Sequence, residues 1–344
     1  MRSVSQYIPK ALVVGLIGGL ALALFWLWVT GEGSAAPQKP HQVPVAVVGP
    51  PAAVGPVTAG LERGNAFRAI ATPNEAQARD LVRQRKADAI VNLETRRVET
   101  VQAASLPAAQ VLQQIFNSPQ SKLHLQTQEI KPLRSGDPTG LGLMFMAMAA
   151  VLAGLPSGIA LALMAKTRRP TTVSDAGARV GVIIAFSVLA GLTIAVLSDV
   201  VLGYGGSRLL VIWGWTALLC AASMGTAVAA IAAVGVAGAL VAAIPLLFFG
   251  VASAPAPSPW NFEAGIFRTL GPFDAFGATV NGFRNGIFFR DASQAQNVWV
   301  LAAWIVVPLV GLLAMGWWAQ RHAVRAPAAA ETRAPAINLG QVAS

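Results

Sequence analysis

A single cysteine, Cys220, stands in this chain of 344 residues, and it lies inside an apolar run. No intramolecular disulfide can form, so any exported portion must fold on its core alone. Histidine is nearly as scarce: His41, His124 and His322 are scattered and offer no soft-metal cluster. Charge is thin, at 12% of residues against the ~25% usual in soluble domains. The signatures of nucleotide binding and covalent catalysis are missing too. Nothing fits G-x-x-x-x-G-K-[ST]. Gly31-Glu32-Gly33-Ser34-Ala35-Ala36 loosely matches a dinucleotide fingerprint, but it follows an apolar run and lacks the βαβ setting. Gly154-Leu155-Pro156-Ser157-Gly158 puts its serine one place too late for a nucleophile elbow. The sequence therefore offers no catalytic residue, cofactor-binding residue or metal ligand, and the expectation is a protein that is not an enzyme.

What is present is apolar. Hydrophobic residues make up 55% of the chain, mean hydropathy is +0.58, and seven stretches of 19 to 54 residues contain no Asp, Glu, Lys or Arg, five of them predominantly apolar. About 20 such residues cross the hydrocarbon core of a bilayer, which excludes a cytosolic enzyme and a disordered tail protein. The run Ala11 to Val29 exceeds the apolar stretch of an ordinary signal peptide and is expected to be an uncleaved anchor. Further spans are expected at about 140–165, 179–202 and 295–318. The uncharged run Leu209 to Phe262 would be about 80 Å long as one helix, at 1.5 Å per residue. It must fold back, with Ala229–Gly238 as the expected turn and Pro255, Pro257 and Pro259 ending the second helix. That makes six spans.

The net charge of +10 could suggest nucleic acid, but its distribution points to orientation instead. With the N-terminus inside, the short cytoplasmic segments hold nine basic residues, Lys166, Arg168, Arg169 and Arg179 among them. The short outer loops hold four: Arg208, Arg268, Arg284 and Arg290. Both termini are thus expected in the cytoplasm of a multi-pass inner-membrane protein, with residues 31–138 outside and no nucleic-acid partner.

After a Gly/Pro/Ser linker, residues 44–134 read as a small α/β domain in the order β, β, α, β, β, α, β. Thr72-Pro73-Asn74-Glu75 reads as a capping box opening the first helix, Pro107 starts the second, and Leu123 and Leu125 alternate with polar residues as the last strand. Arg79, Arg83, Arg85 and Lys86 form a basic cluster, read as a solvated helix face, with anionic lipid or envelope polymer as the sharper alternative.

Within the spans only Asp199 and Arg179 carry charge, and both fall near span ends, where they can reach water. Gly154 and Gly158 have the spacing for close helix packing, while Pro156, Pro245 and Pro308 can kink their helices. The outer segment 255–294 is rich in Phe and Gly and too broken to span. It is expected either to lie in the interface or to dip back against protein as a lid, with Phe273, Phe276, Arg284, Asn285 and Phe288 as candidate lid or interface residues. Residues 321–344 read as a disordered cytoplasmic tail.

The layout in sum is an α-helical polytopic membrane protein with an inserted extracytoplasmic α/β domain: an anchor at 1–30, the exported domain at 31–138, and five helices at 139–320. It resembles the ABC-2-type permease superfamily, and within it the phage-infection-protein (YhgE/Pip-like) branch. The local cues are VPVAVVG opening the exported domain, ADAIVNLETRRVETVQAAS at 87–105, DPTGLG at 137–142 and GPFDAFGATVNGFRNGIFF at 271–289. The resemblance implies a homodimeric permease in the lipid bilayer that exports a lipid-like or amphiphilic substrate with a separate ATPase. Lys166, Arg168 and Arg169 would then be the ATPase contact loop. The competing expectation is a non-transporting envelope protein that displays its exported domain as a scaffold, secretion accessory or phage receptor.

Overall fold

Short runs of β-branched residues alternate with helices in the first part of the chain, and long uncharged helices make up the rest. A computed structural model describes residues 39–118, 123, 125–204, 208–256, 258–263 and 265–325. The expected anchor at 1–30 lies outside the described residues, as do the cleavage question and most of the C-terminal tail.

The α/β domain is a five-stranded mixed sheet in the order β2-β1-β3-β4-β5. Its strands are β1 (Val43–Val48), β2 (Phe67–Thr72), β3 (Ala89–Asn92), β4 (Arg97–Thr100) and β5 (Gln126–Glu129). β1 runs parallel to β2 and β3, β3 is antiparallel to β4, and β4 is parallel to β5. Because β1 and β3 are buried on both faces, their sequences VPVAVV and AIVN are continuous apolar runs without alternation. One face, centred on Val45, Val47 and Val91, is covered by α1 (Pro51–Leu61) and α3 (Leu106–Asn117). The other, with Ala46, Val48 and Ile90, is covered by α2 (Glu75–Arg83) and by residues of the membrane half.

Three expectations change here. A helix, α1, stands between the first two strands; its two prolines and two glycines gave it the look of a loop, although Val54, Val57 and Leu61 share the face that packs on the sheet. The cap of α2 is Asn74, whose side chain accepts from Gln77 N, and not Thr72. Thr72 ends β2 with its hydroxyl donating to Val47 O. The last strand begins at Gln126, after the Leu123–Leu125 alternation.

Four helical stretches are long and apolar enough to cross a membrane: Gly142–Met164, Val173–Leu202, Leu209–Ala252 and Ala295–Ala323. The first two are α4 and α5. α6 (Leu209–Val234) is the hub, packed against α4, α5 and the last helix. Against α4 the approach is close: a Cβ at Gly154 would stand 2.6 Å from Cys220 O, and one at Gly158 would stand 2.5 Å from Met224 O. The small-x-x-x-small spacing thus lets two backbones meet where a side chain would separate them.

The third stretch is not straight. α6 ends at Gly235, whose φ of 75° and ψ of −157° lie outside the helical region, and Gly238 then packs on the backbone of Ala230. In a continuous helix those two residues would be about 12 Å apart along the axis, so the chain has reversed. The return leg is α7 (Gly238–Ala243), a π-helical segment Ile244–Phe249 that contains Pro245, and a last turn Gly250–Ala252. Proline at 245 cannot donate to the ladder, and the wider turn absorbs the loss.

The outer segment then folds as α8 (Gly265–Leu270) and α9 (Ala275–Phe288), before α10 (Ala295–Arg325). Two boundaries shift: α5 begins at Val173 rather than 179, and α10 continues to Arg325, into what was expected to be disordered tail.

Candidate functional site

The polar chemistry of this chain gathers where the α/β domain meets α9. α9 starts at Asp274, whose carboxylate accepts from Phe276 N at 2.9 Å and Gly277 N at 3.1 Å. Starting from that cap, the helix packs on α4, α6 and α10, and nearly all of its residues are buried. The helix packs back against protein, the second of the two expected placements: Phe276, Arg284 and Asn285 are buried, and Phe288 is half-buried. Of the expected lid residues only Phe273 is exposed, at 63%, with its carbonyl accepting from Trp304 Nε1.

Facing α9 is the end of α2. Lys86 N bonds to Leu81 O and Arg85 N to Val82 O, a Schellman closure that puts Arg85 at the left-handed position, φ 57°. Glycine usually takes that place, and a side chain there costs about 1–2 kcal/mol. The conformation aims the Arg85 guanidinium away from the solvated face, so Arg85 leaves the basic cluster in which it was expected. Its Nη1 donates to Asn281 Oδ1 and, at 2.6 Å, to Asn285 Oδ1. From there amides continue the network: Asn281 Nδ2 to Asn297 Oδ1, Asn297 Nδ2 to Gln294 Oε1, and Gln294 Nε2 to Gly282 O.

Arg284 is the largest fully buried side chain, 2% exposed, and its Nε and Nη1 find no hydrogen-bond partner among the described residues. It stands in the field of Arg85, Asp88, Tyr204 and Asp137. Burial, reinforced by Arg85, pushes its pKa down to about 9 against the opposing pull of Asp88. Burial likewise raises Asp88 to about 6, against Arg85 and Arg284. Asp137 closes the far side, accepting from Tyr204 Oη at 2.5 Å and from Gly142 N at 2.9 Å. It thereby ties the start of α4 to the end of α5.

Apolar contacts seal this seam. Phe289 is buried in the sheet core beside Val48, Val82 and Ile90, under Lys131 Nζ at 4.6 Å and Arg85 at 5.9 Å from its ring centroid. Lys131 also donates to Phe288 O at 2.8 Å. A second attachment joins Phe262 to the opposite core face, with His41 N donating to Asn261 O at 2.9 Å.

Sequence reasoning missed Asp88, Asp137, Tyr204 and the buried acids Glu263 and Asp274. Burial raises Glu263 to about 8, and raises Asp274 to about 7 against the backbone donors of its cap. For Glu263 and Asp274 the available signal was the density of Asn, Asp and Arg within an otherwise apolar outer segment; Asp88, Asp137 and Tyr204 lie outside that segment and carried none. At the other end of the helices, Lys166, Arg168 and Arg169 share an exposed loop. Arg169 is committed to fold: it donates to Ala232 O and Ala233 O, capping the end of α6. Arg179, expected at the water boundary, is buried and donates to Thr167 O, Arg168 O and Asp175. Pro156 is exposed on α4, between Gly154 and Gly158.

No protein-family model matches this chain, and no curated protein or solved structure matches it.

Proposed function

We propose that the chain is a multi-pass permease of the ABC-2-like kind, working as a homodimer in the inner membrane to export a lipid-like or amphiphilic substrate with a separate ATPase. On this reading there are six spans, made of the N-terminal run, α4, α5, the two legs of the reversed stretch and α10. Both termini are cytoplasmic, and the α/β domain is outside.

The observation that carries it is the shared burial of the two halves. Phe289 completes the sheet core, and Arg85 bonds to two residues of α9. An exported domain that only needed display would not draw its own core residues from the outer segment that joins the last two spans. One whose position must follow helix movement would. The glycine-lined contact of α4 on α6 and the π-helical segment at Pro245 place adaptable backbone inside the same bundle. Lys166 and Arg168, exposed beside a loop held by Arg179, are the surface offered to an ATPase.

The display reading predicts that residues 44–134 on an unrelated anchor retain the phenotype. The permease reading predicts that they do not, since Phe262 and Phe289 are left behind. Reconstitution of the full chain with an ATPase recovered by crosslinking from Lys166 should give ATP-dependent movement of a fluorescent amphiphile between leaflets. Retained phenotype on the swapped anchor, with no ATPase recovered, would reject the permease.

A further inference from the structure

α1 has the sequence PAAVGPVTAGL, eleven residues without a charge, yet only Leu61 is buried. Beside it opens a cleft of about 590 Å³ lined by Val57, Leu61, Phe67, Ile115, Phe116 and Leu123. Its walls come from the second half of α1, the start of β2 and the last turn of α3. That volume falls within the range of small-molecule sites, which are concave, apolar and equipped with few polar groups. The one charged residue lining it is Arg63, exposed and in no ion pair among the described residues. The neighbouring Glu62 carboxylate is turned away, accepting from Ala69 N.

The position of the cleft matters as much as its lining. Ala66, on its wall, accepts from Val43 N, and the preceding His41 and Gln42 are bonded to Asn261 of the outer segment. The cleft therefore opens one strand away from the point where the domain meets the chain leaving the membrane half. An apolar hollow facing water costs stability unless something fills it.

We infer that this cleft is a binding site for a single-chain anionic amphiphile, its acyl chain lying against Phe67, Phe116 and Ile115 and its head group paired with Arg63. This rests on the permease reading for its role as a receiving site outside the membrane, though binding itself requires no transport. A carboxylate on Arg63 is a charge-assisted contact at the rim, and the chain removes exposed apolar surface from water.

The test uses the full chain in nanodiscs and a diazirine-bearing palmitate. Light should attach the probe to peptides covering residues 56–67 or 115–118, and free palmitate should compete about tenfold better than hexadecanol, a difference of ~1.4 kcal/mol. Arg63→Gln should abolish that preference and leave hexadecanol unchanged. Gly60 lines the cleft, and a Cβ there meets nothing within 4 Å. Gly60→Leu therefore starts a side chain into the hollow from an unhindered Cβ, and it should cut labelling at least tenfold at a melting temperature equal to or above that of wild type. Labelling confined to the spans, or unaffected by Gly60→Leu, would overturn the site. So would an Ile115→Cys disulfide joining two copies, since the face would then be a protein interface. Labelling without leaflet-to-leaflet movement would reject the permease alone; movement without labelling would reject the cleft alone.

Discussion

The guanidinium of Arg85 reaches the amide oxygen of Asn285 at 2.6 Å, across 200 residues of sequence. One is the residue that closes a helix on the sheet, and the other is buried on α9. The contact belongs to no local motif, and it ties the α/β domain to α9. A hydrogen bond to a charged group contributes about 1.5–3 kcal/mol, and more is lost when a buried partner is left alone.

A double-mutant cycle on Arg85 and Asn285 should therefore give a coupling of about 0.5–3 kcal/mol in the melting of the full chain. Backbone strain adds a second check. Arg85→Ala and Arg85→Gly lose the same guanidinium, but alanine keeps the left-handed strain and glycine does not. Arg85→Ala should be the less stable by about 1 kcal/mol. Equal stabilities would show that φ 57° is not the conformation at this residue.

Asp88 should make this seam sensitive to pH. Its folded pKa of about 6 lies above the ordinary 3.8, because burial outweighs Arg85 at the end of α2 and Arg284 on α9. As pH rises from 3.8, the unfolded chain gives up this proton first, so the folded state loses stability until about pH 6 and no further. Asp88→Asn removes the titration. Melting curves from pH 3.5 to 7 should show wild type falling relative to Asp88→Asn through that window, by a few degrees. Parallel curves would place the titration elsewhere.

Gly154 and Gly177 separate close packing from helix propensity. A methyl at Gly154 meets the Cys220 carbonyl at 2.6 Å, whereas one at Gly177 on α5 meets nothing within 4 Å. Gly154→Ala should cost about 1–3 kcal/mol through overpacking, and Gly177→Ala should be neutral or stabilising by up to about 1 kcal/mol. Unfolding in detergent read by circular dichroism distinguishes them. A neutral Gly154→Ala would mean that α4 and α6 are farther apart than described.

These contrasts show what the sequence could carry. Gly154 and Gly158 were legible because their role depends on spacing along one helix. The reversal near Gly235 was legible because no membrane is thick enough for the alternative. Arg85 was not, because periodicity reports which side of α2 it leaves but not that α9 comes to meet it. Arg284 and Asn285 were picked out as lid or interface residues because the Phe-rich pattern signals packing against lipid or protein; it says nothing of the Arg85 contact to Asn285 or of the field of Asp88 around Arg284. α1 was missed because Pro51, Gly55, Pro56 and Gly60 imitate a loop, and because its outer face is Ala, Gly and Pro, so the stripe Val54, Val57 and Leu61 has no polar side to stand out against.

The loop joining α4 to α5 allows docking and folding to be tested apart. Arg179 holds that loop from beneath, donating at 2.8 Å to Arg168 O, at 2.7 Å to Thr167 O and at 3.0 Å to Asp175. A planar guanidinium can satisfy these acceptors together, and a lysine ammonium on a flexible stem cannot. Arg179→Lys should therefore loosen residues 165–172, raising their amide exchange about tenfold while α6 stays protected. Lys166 and Arg168 point outward and hold nothing comparable, so Lys166→Glu with Arg168→Glu should leave exchange unchanged. On the permease reading that charge reversal abolishes ATPase recovery although the loop is intact, whereas Arg179→Lys weakens it only through disorder. Undiminished recovery with both charges reversed would remove this loop as the docking surface.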